Sequence, residues 1–393
     1  MSYGGNDGGY RPPARPRQSS PRPRQHTRMM PLPGQSDRSD YYDDSPVRTP
    51  PPPPPPRQMP PQEQPPMGGQ RPPRRRKWGF GRVLLTLLLV FVVFLAGVWV
   101  YLEFSINRTD AVHDYSGRPA AASGTNWLIV GSDSRDGLTE ADIERLSTGD
   151  SKAAGGGKRT DTIMVAHIPD NSTTPTLLSL PRDSQVKIPG HGTNKINAAF
   201  SLGGAPLLLE TVEGATGLRM DHYAEIGFGG FAKIVDAIGG VNMCLDKEMD
   251  DTMTGVKLPA GCQDLDGAQA LGFVRMRHSS ATPRSDLDRV ANQRKFIGAM
   301  VSEIASPGTL LNPFDLFPLL STAPDALTID SGDHLHNLAG LAMAMRGIST
   351  GGVVTTTVPI TDASAERWDK VKSKALFDAM RDDTAIPDNV IVN

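Results

Sequence analysis

The chain has 393 residues, and its 41 Lys and Arg against 43 Asp and Glu give a formal charge of −2, which excludes a uniformly basic nucleic-acid binder. The average conceals two different parts. Residues 1–77 hold 14 basic and 6 acidic residues and 21 of the 35 prolines, whereas the remainder holds 27 basic and 37 acidic residues.

In chain order, residues 1–77 contain only Leu32 and Val47 from among Leu, Ile, Val and Phe, too little apolar surface to offset the entropy of ordering. They are expected to form a disordered Pro/Arg-rich tail. The proline run Pro50 to Pro56 favours polyproline II, a spacer that could also dock a cytoplasmic partner. Residues 78–102 follow as one transmembrane helix, because Val83 to Leu102 is free of charge over the length of a bilayer crossing. So long a preceding segment argues against a cleaved signal peptide. Arg71, Arg74, Arg75, Arg76, Lys77 and Arg82 on one flank place the N-terminus in the cytoplasm and the rest outside, by the positive-inside rule. Residues 103–124 read as a linker and 125–393 as one extracytoplasmic catalytic domain. There, an even pair of cysteines, Cys244 and Cys262, favours one disulfide over two buried thiols.

The domain alternates strand and helix patterns. Trp127 to Val130, Thr162 to Ile168 and Leu177 to Leu180 read as strands, and each carries Arg and Asp at one end: Asp133 and Arg135, Arg159 and Asp161, Arg182 and Asp183. Helical patterns cover Ala205 to Ala215, Phe228 to Ile238, Gly267 to Phe273, Asp286 to Ala305, Asp333 to Ile348 and Ala365 to Met380, with further strands at Tyr223 to Ile226, Val241 to Leu245 and Val353 to Val358. The interleaving predicts an α/β fold, an α-β-α sandwich around a central mixed sheet. A polar, glycine-rich insertion follows Arg135 to about Lys158, within which Gly155 to Lys158 lacks the spacing of a phosphate-binding loop and reads as a flexible loop.

The chemistry lies in the arginines. Arg135, Arg159, Arg182, Arg275, Arg277 and Arg289 sit at strand ends and helix margins of an acidic domain. Guanidinium groups stay charged when partly desolvated and grip phosphate oxygens in pairs, so their convergence would suit a pyrophosphate. Gln293 lies one helical turn beyond Arg289, at the margin of an apolar stripe. Asp133 and Asp161 could meet at one sheet edge, and two carboxylates beside phosphate suit Mg²⁺ or Mn²⁺.

Six motifs in order then resemble the LytR-CpsA-Psr family of bacterial cell-envelope enzymes: WLIVGSDSR from Trp127, RTDTIMVAHI from Arg159, LLSLPRDSQVKIPG from Leu177, KINAAFSLGG from Lys195, GAQALGFVRMRH from Gly267 and DLDRVANQR from Asp286. The resemblance implies a phosphotransferase that moves a glycopolymer from a polyprenyl-pyrophosphate carrier onto a peptidoglycan hydroxyl. By it, Asp133 and Asp161 hold the metal; Arg135, Arg159, Lys195, Arg289 and Gln293 bind the pyrophosphate; and Arg182, Arg275 and Arg277 act in catalysis, with Asp183 a candidate base beside a metal-bound hydroxide. Leu207 to Leu209, Val212, Phe231, Ile234, Val235, Phe296 and Met300 are candidates for a lipid-tail slot. The long tail and cysteine pair resemble actinobacterial members and point to arabinogalactan as cargo. Two departures are the long stretch between Asp133 and Arg159, and Asn292 where the family often has Arg. The competing readings are a pyrophosphatase using the same pocket and a non-catalytic glycan-binding or regulatory membrane protein.

Overall fold

The computed structural model describes residues 80–135, 138–148, 159–279, 281–282, 286–362 and 364–392. The proline-rich tail with its expected partner and the Gly155 to Lys158 insertion lie outside these residues. The elements are α1 (Phe80–Ser105), β1 (Asn107–Thr109), β2 (Thr125–Ser132), α2 (Glu140–Arg145), β3 (Thr160–Ile168), β4 (Thr176–Leu180), β5 (Gln185–Ile188), β6 (Gly192–Lys195), α3 (Ile196–Thr216) and β7 (His222–Ile226). They continue with α4 (Phe228–Ala237), β8 (Val241–Leu245), β9 (Met249–Asp251), β10 (Val256–Leu258), β11 (Gly261–Leu265), α5 (Gly267–Arg275), α6 (Asp286–Ile304), α7 (Pro307–Leu311), α8 (Pro313–Ala326), β12 (Leu327–Asp330), α9 (Leu335–Met345), β13 (Val354–Thr357) and α10 (Lys370–Arg381).

Seven strands form the central mixed sheet in the order β1-β12-β7-β2-β3-β4-β13. The alternation of side chains along a strand fixes its two faces. Leu128, Val130, Ile163, Val165, Leu178 and Leu180 point to one side, where Phe200, Leu208, Leu209 and Val212 of α3 and Leu376, Phe377 and Met380 of α10 cover them. Trp127, Met164, Ala166 and Leu177 point to the other, against Ile297 and Val301 of α6 and Leu338, Leu341 and Met345 of α9. The result is the expected α-β-α sandwich. A third apolar cluster gathers residues from α4, β8, β9, β11, α5, α6 and α8. It joins the sheet through Ile226 and Leu327, the last residue of β7 and the first of β12.

α1 is 26 residues long, about 39 Å at 1.5 Å per residue, and is long and apolar enough to cross a membrane. Of residues 103–124, expected as a linker, the part from Asn107 to Arg118 is instead held against the domain, while residues 120–123 are exposed. β1 pairs in parallel with β12, Asn107 opposite Thr328. The Asp330 carboxylate accepts the N–H groups of Ala111 (2.9 Å) and Val112 (2.7 Å), and Arg118 pairs with the buried Glu213 at 3.2 Å. A three-residue strand carries too little pattern to be recognised in sequence.

The helix read from Ala205 is part of the longer α3, which is kinked at Gly203 and Gly204, where Gly204 has φ 66°. That left-handed conformation favours glycine. The last helix starts at Lys370 rather than Ala365, because Asp369 caps it by accepting the N–H groups of Val371 and Lys372. β8 and β11 pair antiparallel with Cys244 directly opposite Cys262, and the two form the expected disulfide. Closing an 18-residue separation restricts the unfolded chain by on the order of 3 kcal/mol. Reduction is therefore expected to lower the thermal midpoint by several degrees, read by differential scanning calorimetry with and without reductant.

Candidate active site

β2 and β3 run antiparallel with Ser132 opposite Thr160, and β3 and β4 antiparallel with Ile163 opposite Leu180. Continuing those registers brings Asp133 beside Arg159 and Arg182 beside Asp161 at one edge of the sheet. The contacts agree. The Asp133 N–H donates to the Arg159 carbonyl (2.9 Å), and the Arg159 N–H donates to Asp133 Oδ1 (2.7 Å). Arg182 Nη1 donates to the Asp161 carboxylate. β7 lies parallel to β2 and ends at the same edge, with Gly131 opposite Ile226, so that the Phe228 N–H at the start of α4 donates to the Ser134 carbonyl (3.2 Å). C-terminal strand ends in α/β sheets are where ligands usually bind.

Arg182 also lies 3.4 Å from Asp183, whose other oxygen accepts from Lys195 Nζ at 2.7 Å. Lys195 reaches it because β5 and β6 form a hairpin with Gln185 opposite Lys195. Burial pushes the Asp183 carboxyl up, but Lys195 and Arg182 outweigh it and hold the group below its usual range. A carboxylate so stabilised is a weak proton acceptor, which favours Asp183 as the group that aims Arg182 and Lys195 over a general base.

Arg275 is the last residue of α5, with its guanidinium carbon 4.8 Å from the centroid of Phe228, a cation–π arrangement. Burial depresses its proton affinity, against the pull of Asp161; the charge of Arg135 depresses it further, and Asp133 and Asp251 oppose. Residues from β2, β3 and α5 thus share one electrostatic neighbourhood. Arg135 Nη2 donates to the Thr148 carbonyl, and Arg275 Nη1 lies 3.5 and 3.4 Å from the carbonyls of Leu146 and Ser147. Arg135 Nε and Nη1 are buried without a hydrogen-bond acceptor among the described residues. Two close guanidinium groups, one with unmet donors, would suit an anion.

The carbonyls facing these arginines follow α2, which lies in the stretch read from sequence as an insertion. Its signal was a capping box: Thr139 Oγ1 accepts the Asp142 N–H and the Asp142 carboxylate accepts the Thr139 N–H. Asp251 was also missed. Its carboxylate is fully buried and accepts the N–H groups of Met253 (2.9 Å), Arg277 (2.8 Å) and His278 (2.9 Å). Burial would raise its pKa, but those donations dominate and lower it. Asp251 fixes the backbone just past α5 and so aims both Arg275 and Arg277. Asp251→Ala is expected to cost about 2–4 kcal/mol by leaving these donors unsatisfied, measured as a shift in the urea midpoint.

Arg289 and Gln293 are buried on α6, and Gln293 Nε2 donates to the Val274 carbonyl (3.1 Å), beside Arg275. Arg294 is buried and donates to Thr357 Oγ1 (2.7 Å) at the end of β13. Asn292 lines a cavity of about 280 Å³ with Leu245, Met249, Phe273, Ala281 and Lys295, and its Nδ2 is buried without a partner among the described residues. The lipid-slot candidates divide. Phe231, Ile234, Val235, Phe296 and Met300 belong to the cluster beyond the sheet edge, whereas Leu207, Leu208, Leu209 and Val212 pack on the sheet face as ordinary core. No group of three or more His, Cys, Asp or Glu side chains able to hold a metal occurs among the described residues. Asp133 and Asp161, both near Arg275, fit a hard cation that completes its shell with water and ligand phosphate oxygens.

Together these features define a class: an α-β-α sandwich behind a membrane-type helix, with arginines and two carboxylates gathered at one sheet edge. Residues 100–382 match the LytR_cpsA_psr family, and the chain belongs to it. It is 52% identical over 307 residues to the probable cell wall biosynthesis protein LcpB of Corynebacterium glutamicum, covering 77% of this chain and 70% of that one. It is 33% identical over 273 residues to the cell wall biosynthesis protein LcpA of the same organism, covering 62% of this chain and about half (51%) of LcpA. Among solved structures, the LytR-Csp2A-Psr enzyme from Actinomyces oris shares the fold at a TM-score of 0.55 and 22% identity, over 70% of this chain and 96% of that one. TagT bound to LI-WTA does so at 0.50 and 22%, over 66% and 90%.

Proposed function

We propose that this protein is a phosphotransferase of cell-wall assembly, moving a glycopolymer from a polyprenyl-pyrophosphate carrier onto a peptidoglycan hydroxyl as a phosphodiester. The observation that carries the reading is the pair Arg135 and Arg275, close in space, with the buried Nε and Nη1 of Arg135 lacking an acceptor. A pyrophosphate would supply the missing oxygens. The relatives named for cell wall biosynthesis and the family's match over residues 100–382 support the same chemistry, as does TagT, similar in fold and solved bound to LI-WTA.

Topology adds support. The sheet edge that carries Asp133, Asp161 and Arg182 also receives the end of α1, since Asn107 aligns with Thr328 and Leu327 with Ile226. β1 lies three strands from β2, about 14 Å at roughly 4.8 Å per strand. With α1 crossing the cell membrane, its N-terminus cytoplasmic and the domain outside, the site opens toward the headgroups from which a lipid-linked donor would be drawn.

In the reaction, an acceptor oxygen attacks the glycan-proximal phosphorus, and the bond from that phosphorus to the bridging oxygen breaks. Polyprenyl phosphate leaves and takes up the acceptor's proton on a phosphate oxygen. Arg275 and Arg277 hold the departing phosphate, Arg135, Arg159 and Arg289 the other, and Gln293 steadies the last turn of α5. Asp183 and Lys195 keep Arg182 aimed. A Mg²⁺ or Mn²⁺ ion held by Asp133 and Asp161 would neutralise phosphate oxygens. The protein mainly positions groups and balances charge, which is most of what phosphoryl transfer demands. Arabinogalactan is the proposed cargo.

The test is full-length protein in lipid nanodiscs with polyprenyl-pyrophosphate glycan, Mg²⁺ and peptidoglycan oligomers, followed by mass spectrometry. The expected product is glycan joined through one phosphate to the oligomer. Release of phosphoglycan at the same rate with or without oligomer would instead identify a pyrophosphatase.

A further inference from the structure

α7 and α8 carry an unusual surface. Leu311, Phe314 and Phe317 are 82%, 84% and 72% exposed. Phe314, Phe317 and the exposed Ser321 follow one another at helical spacing on one face of α8, while Leu319 and Ala326 pack inward. From Ala305 to Pro324 the only charged residue is Asp315, whose carboxylate accepts from Asn312 Nδ2 (2.6 Å). Water disfavours such a patch unless something covers it.

Position identifies the cover. α8 packs against α1, and Asn107 Nδ2 donates to the Pro324 carbonyl at 3.2 Å. α8 also packs closely on α4, where a Cβ added at Gly230 would stand 2.3 Å from the Ala326 carbonyl oxygen. α9 meets α1 as well, through His334 and the Leu335 N–H on the Glu103 carboxylate. Within α1, Leu102 is buried and Val98 half-buried, while residues 95–97 and 99–101 are exposed, so the domain touches α1 down to the outer turn of its apolar run. Trp99, Tyr101 and Phe104 are exposed around that same end, an aromatic belt of the kind found at membrane interfaces.

We propose that α7 and α8 form a membrane-docking surface, with Leu311, Phe314 and Phe317 seated among lipid headgroups and upper acyl chains beside α1. The occupant is the bilayer because α8 packs against α1 and its exposed face is aromatic, nearly uncharged and helical, as interfacial segments are. Docking at a second place stops the domain swinging about α1 and keeps the arginine edge toward the lipid. The inference rests on the reading of α1 as membrane-spanning, and not on the transfer chemistry.

The test uses the full-length protein at one copy per phosphatidylglycerol–phosphatidylethanolamine nanodisc. Phe314→Cys and Phe317→Cys, with Val371→Cys at an exposed position of α10 as control, are labelled with an environment-sensitive fluorophore; the native cysteines are bonded to each other. Expected is blue-shifted emission at positions 314 and 317, quenched severalfold by lipids carrying a nitroxide near the headgroup, and water-like, unquenched emission at 371. As a label-free check, hydrogen exchange in the unsubstituted protein should slow across 307–320 in nanodiscs relative to a short-chain detergent. Water-like emission at 314 and 317 with unchanged exchange overturns the proposal. A shift that appears only with two copies per disc also overturns it, assigning the patch to self-association. Because no readout involves transfer, loss of activity leaves the result intact.

Discussion

Replacing Arg275 with alanine is expected to lower the transfer rate by on the order of 10³-fold, the scale seen when a guanidinium or donor that meets transition-state charge is removed. The folded state should barely notice. The contacts of Arg275 are Phe228 beneath it and two carbonyls at 3.4 and 3.5 Å, too long to contribute much. Removing it gives up the attraction of Asp161, Asp133 and Asp251 but also relieves repulsion from Arg135. Arg275→Lys keeps the charge but loses the paired donors, so it should restore part of the rate. Rates and melting curves measured on the same nanodisc samples decide the matter: an alanine variant within a few-fold of the parent ends the proposed role, and a large fall in melting temperature would make Arg275 structural.

Asp133→Asn and Asp161→Asn are each expected to reduce turnover by on the order of 10²-fold or more by removing one of the two anionic ligands of a hard cation. The asparagine oxygen can still accept the Arg159 N–H at position 133, so the strand end should hold. At position 161 the charge partner of Arg182 is lost as well, which predicts the larger defect there. Binding of Mn²⁺, followed by electron paramagnetic resonance without substrate, is an independent readout and should weaken at least tenfold in either variant. Unchanged Mn²⁺ binding would remove the metal role and leave the arginine site standing.

The two variants differ in how readable their positions were. Asp133, Asp161 and Arg182 lie at the ends of successive strands, and antiparallel neighbours joined in sequence necessarily bring alternate ends together. Their grouping was therefore legible from pattern alone. Arg275 and Gln293 arrive from helices about a hundred residues later; their residue types and helix margins marked them as candidates, but only the tertiary structure showed where they sit relative to that edge. Asp251 lay in a three-residue strand, and α2 in a stretch dismissed for its glycines. The apolar residues of α3 and α6 show a different limit. Periodicity marks a side chain as buried but does not say against what, so Leu208 and Phe296 looked alike although one packs on the sheet face and the other beyond its edge.

The amino-acid sequence by itself determined the apolar helix, the strand-end carboxylates and arginines, the cysteine pair and the family, since all of these are local signals or depend on the pairing of neighbouring strands. Only the tertiary structure decided that β1, placed by its pairing with a strand over two hundred residues away, brings the end of α1 to the edge holding the arginines. It alone turned the aromatic face of α8 outward beside α1. Such placements arise from long-range strand order and helix packing, where many weak contacts select one arrangement together and no short stretch of sequence carries the choice.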